Sequence, residues 1–164
     1  MNVLIRIASA IDAASIAALY NHYIKTTCIS FEQEEVSAET MAERISEVNA
    51  QLVWYVAEKN GQIVGYAYAT PWRARSAYRF SVETSVYIAH QCIGQGLGKQ
   101  LYQVLLDDLR QRNVHSVIGG IAQPNPASVA LHEKLGFEKV AHFKEVGYKF
   151  DQWIDVAYWQ LALK

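Results

Sequence analysis

The sequence predicts an α+β fold with a mixed central sheet, and three observations carry that prediction. Short apolar runs of period two alternate with longer runs of helical period. Asn60-Gly61 lies between two of the short runs, the signal of a tight hairpin. A glycine-rich loop, Gln91 to Lys99 (QCIGQGLGK), joins a strand-like run to a long helical one.

Taken in order, Val3 to Ile7 alternates apolar residues and reads as a strand. Asp12 suits a helix N-cap, with Ile16, Leu19, Tyr20, Tyr23 and Ile24 following at helical spacing. A more polar helix covers Ala38 to Val48. Leu52 to Glu58, Ile63 to Thr70 and Ser81 to Ala89 read as strands. Gly96 to Arg112 is helical, with Leu97, Leu101, Val104, Leu105 and Leu109 along one side. Ser116 to Ile121 is a strand. Asn125 and Pro126 fit N-cap and N1 of a helix that runs to Leu135 and stops at Gly136. Glu138 to Glu145 and Trp153 to Ala162 are the last strands. The order β-α-α-β-β-β-α-β-α-β-β, without repeat or linker, reads as one domain over residues 1–164.

Composition narrows the function classes. Fifteen basic and 16 acidic residues give a net charge of −1, without the basic excess of a nucleic-acid binder. No apolar run reaches membrane-spanning length, and that in MNVLIRIASA is too short for a signal peptide. Cys28 and Cys92 are too few for a disulfide framework or a zinc site. His22, His90, His115 and His142 lack metal-ligand spacing. These features lead us to expect a cytoplasmic protein with reduced thiols and no metal.

The glycine loop is built for an anion, and two familiar motifs do not fit it. A triphosphate loop needs its first glycine at position 93, which is Ile, and a hydroxyl at position 100, which is Gln. The dinucleotide pattern fits at Gly94 and Gly96, but its third position is Lys99.

The stretch VYIAHQCIGQGLGKQLYQVLL, with QPNPASVALHEKLGF downstream, resembles the GCN5-related N-acetyltransferase (GNAT) superfamily. Gln91-Cys92-Ile93-Gly94-Gln95-Gly96 matches that superfamily's [Gln/Arg]-x-x-Gly-x-[Gly/Ala] motif, and the element order agrees over nearly the whole chain. PWRARSAYRFSVETSVYI, SVALHEKLGF and GYKFDQWIDVAYWQLAL are similar to the phosphinothricin and methionine-sulfoximine N-acetyltransferase branch. The resemblance implies a mostly antiparallel sheet with helices on both faces and a splayed strand pair. It also implies acetyl-CoA as cosubstrate and a homodimer.

Under this resemblance, Gln91, Gly94, Gln95, Gly96, Leu97, Gly98 and Lys99 would hold the pyrophosphate, with the glycines letting the backbone come close. Val86, Tyr87 and Ile88 would line the pantetheine arm, although VYI is also an ordinary β-rich run. Asn125 would face the cofactor or cap its own helix, and Lys134 would meet a phosphate or only solvent. Glu83 is the expected general base, because an amine that is mostly protonated at pH 7 needs one. His132 stands where many superfamily members carry the tyrosine proposed to protonate the departing thiolate. An imidazole could do this, or could simply pack.

The acceptor side is expected from Arg73 and Arg75, suited to carboxylates and phosphinates. Phe31, Glu32, Tyr20, Asn21, Thr84 and Ser85 complete its expected wall, with Glu32 holding the substrate ammonium. Trp153, Tyr158 and Trp159 read as core or subunit contact. The expected activity is acetyl transfer to a small amino acid analogue. A protein-amine acceptor and a non-catalytic acetyl-CoA-binding module are the alternatives.

Overall fold

The computed structural model describes residues 2–163. Seven strands form one sheet in the order β1-β2-β3-β4-β5-β7-β6. They are β1 (Val3–Ile7), β2 (Trp54–Lys59), β3 (Gln62–Pro71), β4 (Ser81–Ile88), β5 (Ser116–Ala122), β6 (Glu138–Lys149) and β7 (Gln152–Ala162). The helices are α1 (Ala13–Thr26), α2 (Ala38–Gln51), α3 (Leu97–Gln111) and α4 (Pro126–Lys134). Every neighbouring strand pair is antiparallel except β4–β5.

Strand alternation builds two cores, one on each face. Ile16 and Ile24 of α1 and Met41 and Ile45 of α2 pack on Trp54, Val56 and Tyr66. On the other face Leu97, Leu101, Leu105 and Leu109, the stripe read from the sequence, pack on Ala57, Ala67, Val82 and Val117. The β2–β3 turn is made by Asn60 and Gly61, both at positive φ (53° and 76°), as a two-residue hairpin requires. Asn125 caps α4 by accepting from the Ser128 N–H at 3.2 Å, with Pro126 opening the helix.

Several boundaries differ from the sequence reading, and two of them have a clear backbone cause. β6 runs to Lys149 rather than Glu145, because its register slips between Phe143 and Gly147 and Glu145 sits at φ 52°. A bulge looks like a strand end in sequence. β2 starts at Trp54, because Leu52 closes α2 with its N–H on the Val48 carbonyl.

The feature that positions the site is the β4–β5 pair. Its parallel ladder holds Ser81 to Ser116, Val82 to Val117 and Glu83 to Ile118, and then stops. Beyond Glu83 the strands diverge, and β4 pairs only with β3 on its other side through Ile88.

Candidate active site

The divergence of β4 and β5 opens a cavity of about 60 Å³. Thr84 to Tyr87 line one side and Gly120, Ile121 and Ala122 the other. Asn125, Ser128 and His132 of α4 close it, with Tyr102 of α3. Gly94 and Gly96 have φ of +86° and +80°, with open space where a Cβ would stand. Gly96 is the N-cap of α3, so the first N–H groups of that helix face the loop.

The third glycine has a different reason. A Cβ on Gly98 would come 3.2 Å from Leu131, so Gly98 lets α3 and α4 approach each other. Leu97 is buried in the core and can offer only its backbone. Gln91, Lys99 and Lys134 are exposed, and Lys59 donates to the Gln95 side chain at 3.1 Å. Tyr87 packs edge-on against Tyr20 and Tyr23. The Ile88 carbonyl accepts from the Tyr23 hydroxyl.

Because side chains alternate along a strand, adjacent residues of β4 serve opposite faces. Glu83, Ser85 and Tyr87 face the α1–α2 side. Thr84 faces α3 and is buried, with its hydroxyl 2.6 Å from the Tyr102 hydroxyl. Thr84 therefore turns its side chain away from Glu83, although Thr84 and Ser85 both line the cleft.

Glu83 is half-buried, and among the described residues no hydrogen bond engages its carboxylate. Burial pushes its pKa up, with the positive charge of Arg73 pulling the other way. Arg73 stacks on Trp72, 4.9 Å from its centroid. Trp72, Arg73, Ile118, Phe143 and Tyr158 line a second cavity of about 190 Å³ beside Glu83. Tyr158 is thus a cavity wall rather than core. Trp159 is core, with its indole N–H on Glu133 at 3.2 Å. Arg75 is exposed at the start of a short 3₁₀ turn, and among the described residues it makes no ion pair.

The α1–α2 loop departs furthest from expectation. Both Glu32 oxygens accept from Arg44, at 2.9 and 2.8 Å, and one also accepts from Tyr20. Arg44 first, and then the Tyr20 hydroxyl, hold the Glu32 pKa below its ordinary value against the opposing effect of burial. A carboxylate committed this way is not a free anion for a substrate ammonium. Asn21 clamps the Val36 backbone, accepting its N–H at 2.8 Å and donating to its carbonyl at 2.9 Å. Tyr20 is buried and bonds Ser30 at 2.7 Å. These three residues shape the loop. Its tip is pinned to β6, where Lys149 donates to the Ser30 carbonyl at 2.6 Å and the Phe31 ring lies over Gly147.

His132 is buried and has both nitrogens engaged. Nδ1 lies 2.7 Å from the Ser128 carbonyl and Nε2 lies 2.9 Å from the Tyr102 hydroxyl. Burial pushes its pKa down, so the neutral ring dominates at pH 7. Tyr102 was not singled out from the sequence. The available signal was a tyrosine among the leucines of the α3 apolar face, whose hydroxyl needs a buried partner.

The acetyltransferase (GNAT) domain model matches residues 5–158. The chain belongs to the GNAT acetyltransferase family. This GNAT enzyme is 39% identical over 156 residues to a phosphinothricin N-acetyltransferase of Streptomyces viridochromogenes, covering 95% of this chain and 85% of that one. It is 38% identical over 165 residues to the L-methionine sulfoximine/L-methionine sulfone acetyltransferase of Salmonella typhimurium, covering 97% and 94%. A phosphinothricin acetyltransferase of Sinorhizobium meliloti, solved in complex with acetyl-CoA, superposes with a TM-score of 0.95 at 34% identity, covering 99% and 89%. The split sheet and glycine loop are therefore those of an N-acetyltransferase. Among the described residues no group of His, Cys, Asp and Glu could hold a metal ion, and no helix is long and apolar enough to cross a membrane.

Proposed function

We propose that the enzyme moves the acetyl group of acetyl-CoA to the α-amino group of a small amino acid analogue of the phosphinothricin, methionine sulfoximine or methionine sulfone type. The transfer is direct, within a ternary complex. The observation that carries this reading is the unpaired, half-buried Glu83 carboxylate at the point where β4 leaves β5. A raised pKa suits it to take a proton from the attacking amine.

The pyrophosphate would lie on the N–H groups opening α3, with Gly94 and Gly96 admitting it and Lys99 adding charge. The backbone of Val86 and Tyr87, without β5 partners, would pair with the amides of the pantetheine arm and polarise the thioester carbonyl. The cavity beside Glu83 suits the acceptor, with Arg73 for its anionic group and Trp72 and Tyr158 for its apolar stem. Relatives named for these substrates support the acceptor class.

Val140, Val146, Tyr148, Phe150 and Trp153 leave an apolar surface exposed on the β6–β7 hairpin, and a second copy of the chain would cover it in a homodimer.

Free-thiol release from acetyl-CoA against a panel of acceptors tests the reading. We expect turnover on L-phosphinothricin, L-methionine sulfoximine and L-methionine sulfone, well above that on polyamines and lysine peptides. Turnover restricted to peptides or polyamines would contradict the acceptor class.

A further inference from the structure

Lysine is rarely buried without a partner, yet Lys149 is 2% exposed, and it does not line the β4–β5 cleft. It is the last residue of β6. Phe150 and Asp151, both at positive φ (52° and 58°), turn the chain into β7, so Lys149 stands opposite Gln152 at the end of a two-residue hairpin. Among the described residues its ammonium makes one hydrogen bond, to the Ser30 carbonyl at 2.6 Å. Burial pushes the Lys149 pKa down, with Cys28 and the Glu32 carboxylate pulling the other way. The same hairpin end touches the α1–α2 loop twice more. Gln152 donates to the Cys28 sulfur at 3.5 Å, and a Cβ on Gly147 would strike the Phe31 ring.

We propose that Lys149, with Gly147 beneath Phe31, positions the Cys28–Glu32 segment over the place where acceptor and thioester meet, and so sets acceptor binding. The inference rests on the N-acetyl transfer reading above. Ser30 is clamped on two sides. Lys149 holds its carbonyl, and the Tyr20 hydroxyl lies 2.7 Å from its buried hydroxyl. The Ser30 hydroxyl also accepts from the Glu32 N–H at 3.2 Å. Fixing Ser30 fixes its neighbours. Ile29 lines the cleft with Thr84, Ser85 and Gly120. The Glu83 carboxylate lies at the same place, since a Cβ on Gly120 would stand 3.4 Å from Glu83 Oε2. A residue of the edge strand β6 thereby acts on a cleft formed by β4 and β5.

The backbone of this loop depends on side chains for its place. Residues 27–37 lie between α1 and α2 in neither helix nor strand. Arg44 anchors Glu32, Asn21 anchors Val36 and Lys149 anchors Ser30. Arg44 and Asn21 belong to the helices that flank the loop, whereas Lys149 reaches it from the sheet. Loss of the Lys149 contact would free Ile29 and Phe31 to leave the cleft while both helices keep their own packing. Lys149 acts through the loop and is a positioning residue.

The test compares Lys149→Met and Gly147→Ala with wild type, by KM for the best acceptor of the panel above, by KM for acetyl-CoA and by amide hydrogen exchange. Lys149→Met keeps an unbranched stem and removes the donor. Gly147→Ala keeps the ammonium and displaces the Phe31 ring. We expect each variant to raise the acceptor KM by about 10-fold, with the acetyl-CoA KM within about twofold of wild type and exchange faster at residues 28–32 than elsewhere. A general loss of stability would not separate the two KM values. An acceptor KM within about twofold of wild type in either folded variant, or equal rises in both KM values, would overturn the proposal. Should Lys149→Met fail to fold, Gly147→Ala decides by the same criteria. Wild type without turnover on any amino acid would overturn the parent reading instead.

Discussion

The two faces of β4 hold opposite environments. Behind the strand, Thr84, Tyr102 and His132 are buried and satisfy one another. In front, Glu83 is half-exposed and unpaired beside a cavity of about 190 Å³. One residue step along a strand separates the two environments. The difference teaches that a strand at a sheet's divergence can present a satisfied, rigid polar network on one face and an unpaired carboxylate on the other.

The largest expected effect breaks the front face. Glu83→Gln keeps the shape and removes the base, so kcat should fall by about 100-fold or more in a thiol-release assay. Acetyl-CoA affinity, read by calorimetry, should stay unchanged; an unaffected kcat would favour a non-catalytic binding module.

Gly119→Ala attacks the rear face alone. Its Cβ would meet His132 Nε2 at 2.7 Å and Cδ2 at 3.0 Å, so the ring must shift. Overpacking of this kind costs about 1–3 kcal/mol, readable in thermal unfolding. Glu83 and its cavity lie on the other face, so the change should lower stability more than it changes the acceptor KM.

Arg73→Ala sharpens the front face. Loss of a charge-assisted contact to the acceptor should raise its KM by about 10-fold, with acetyl-CoA KM unchanged. With the Arg73 charge gone, the Glu83 pKa should rise further, moving the acid limb of the rate profile to higher pH.

The smallest effect concerns stability. The Glu83 pKa is raised on folding, so folding favours the neutral carboxyl. That stabilisation is complete below the ordinary value of 4.5 and is lost as pH rises through the raised value. Glu83→Gln should therefore melt above wild type near neutral pH, and the gap should close in acid. A constant gap across that range would contradict the raised pKa.

The element order, the hairpin at Asn60-Gly61 and the apolar stripe of α3 were legible because each rests on local spacing. The glycine loop was legible in the same way, whereas Glu83 was singled out through the family resemblance. Strand alternation alone sets Thr84 on the opposite face from Glu83. The contacts of Glu32 and His132 were not legible, since Arg44 lies on a helix beyond the loop and Tyr102 is 30 residues from His132. No local pattern encodes such pairings. Gly98 reads like its neighbours in sequence, and only the packing of Leu131 above it shows its separate role.

A structure of the enzyme with coenzyme A and L-methionine sulfone would test the division across β4 most directly. The account predicts the acceptor nitrogen on the Glu83 face, about 2.6–3.2 Å from the carboxylate or one water away, and the coenzyme A arm in the cleft where β4 leaves β5. An acceptor seated elsewhere, or a coenzyme A arm outside that cleft, would contradict it.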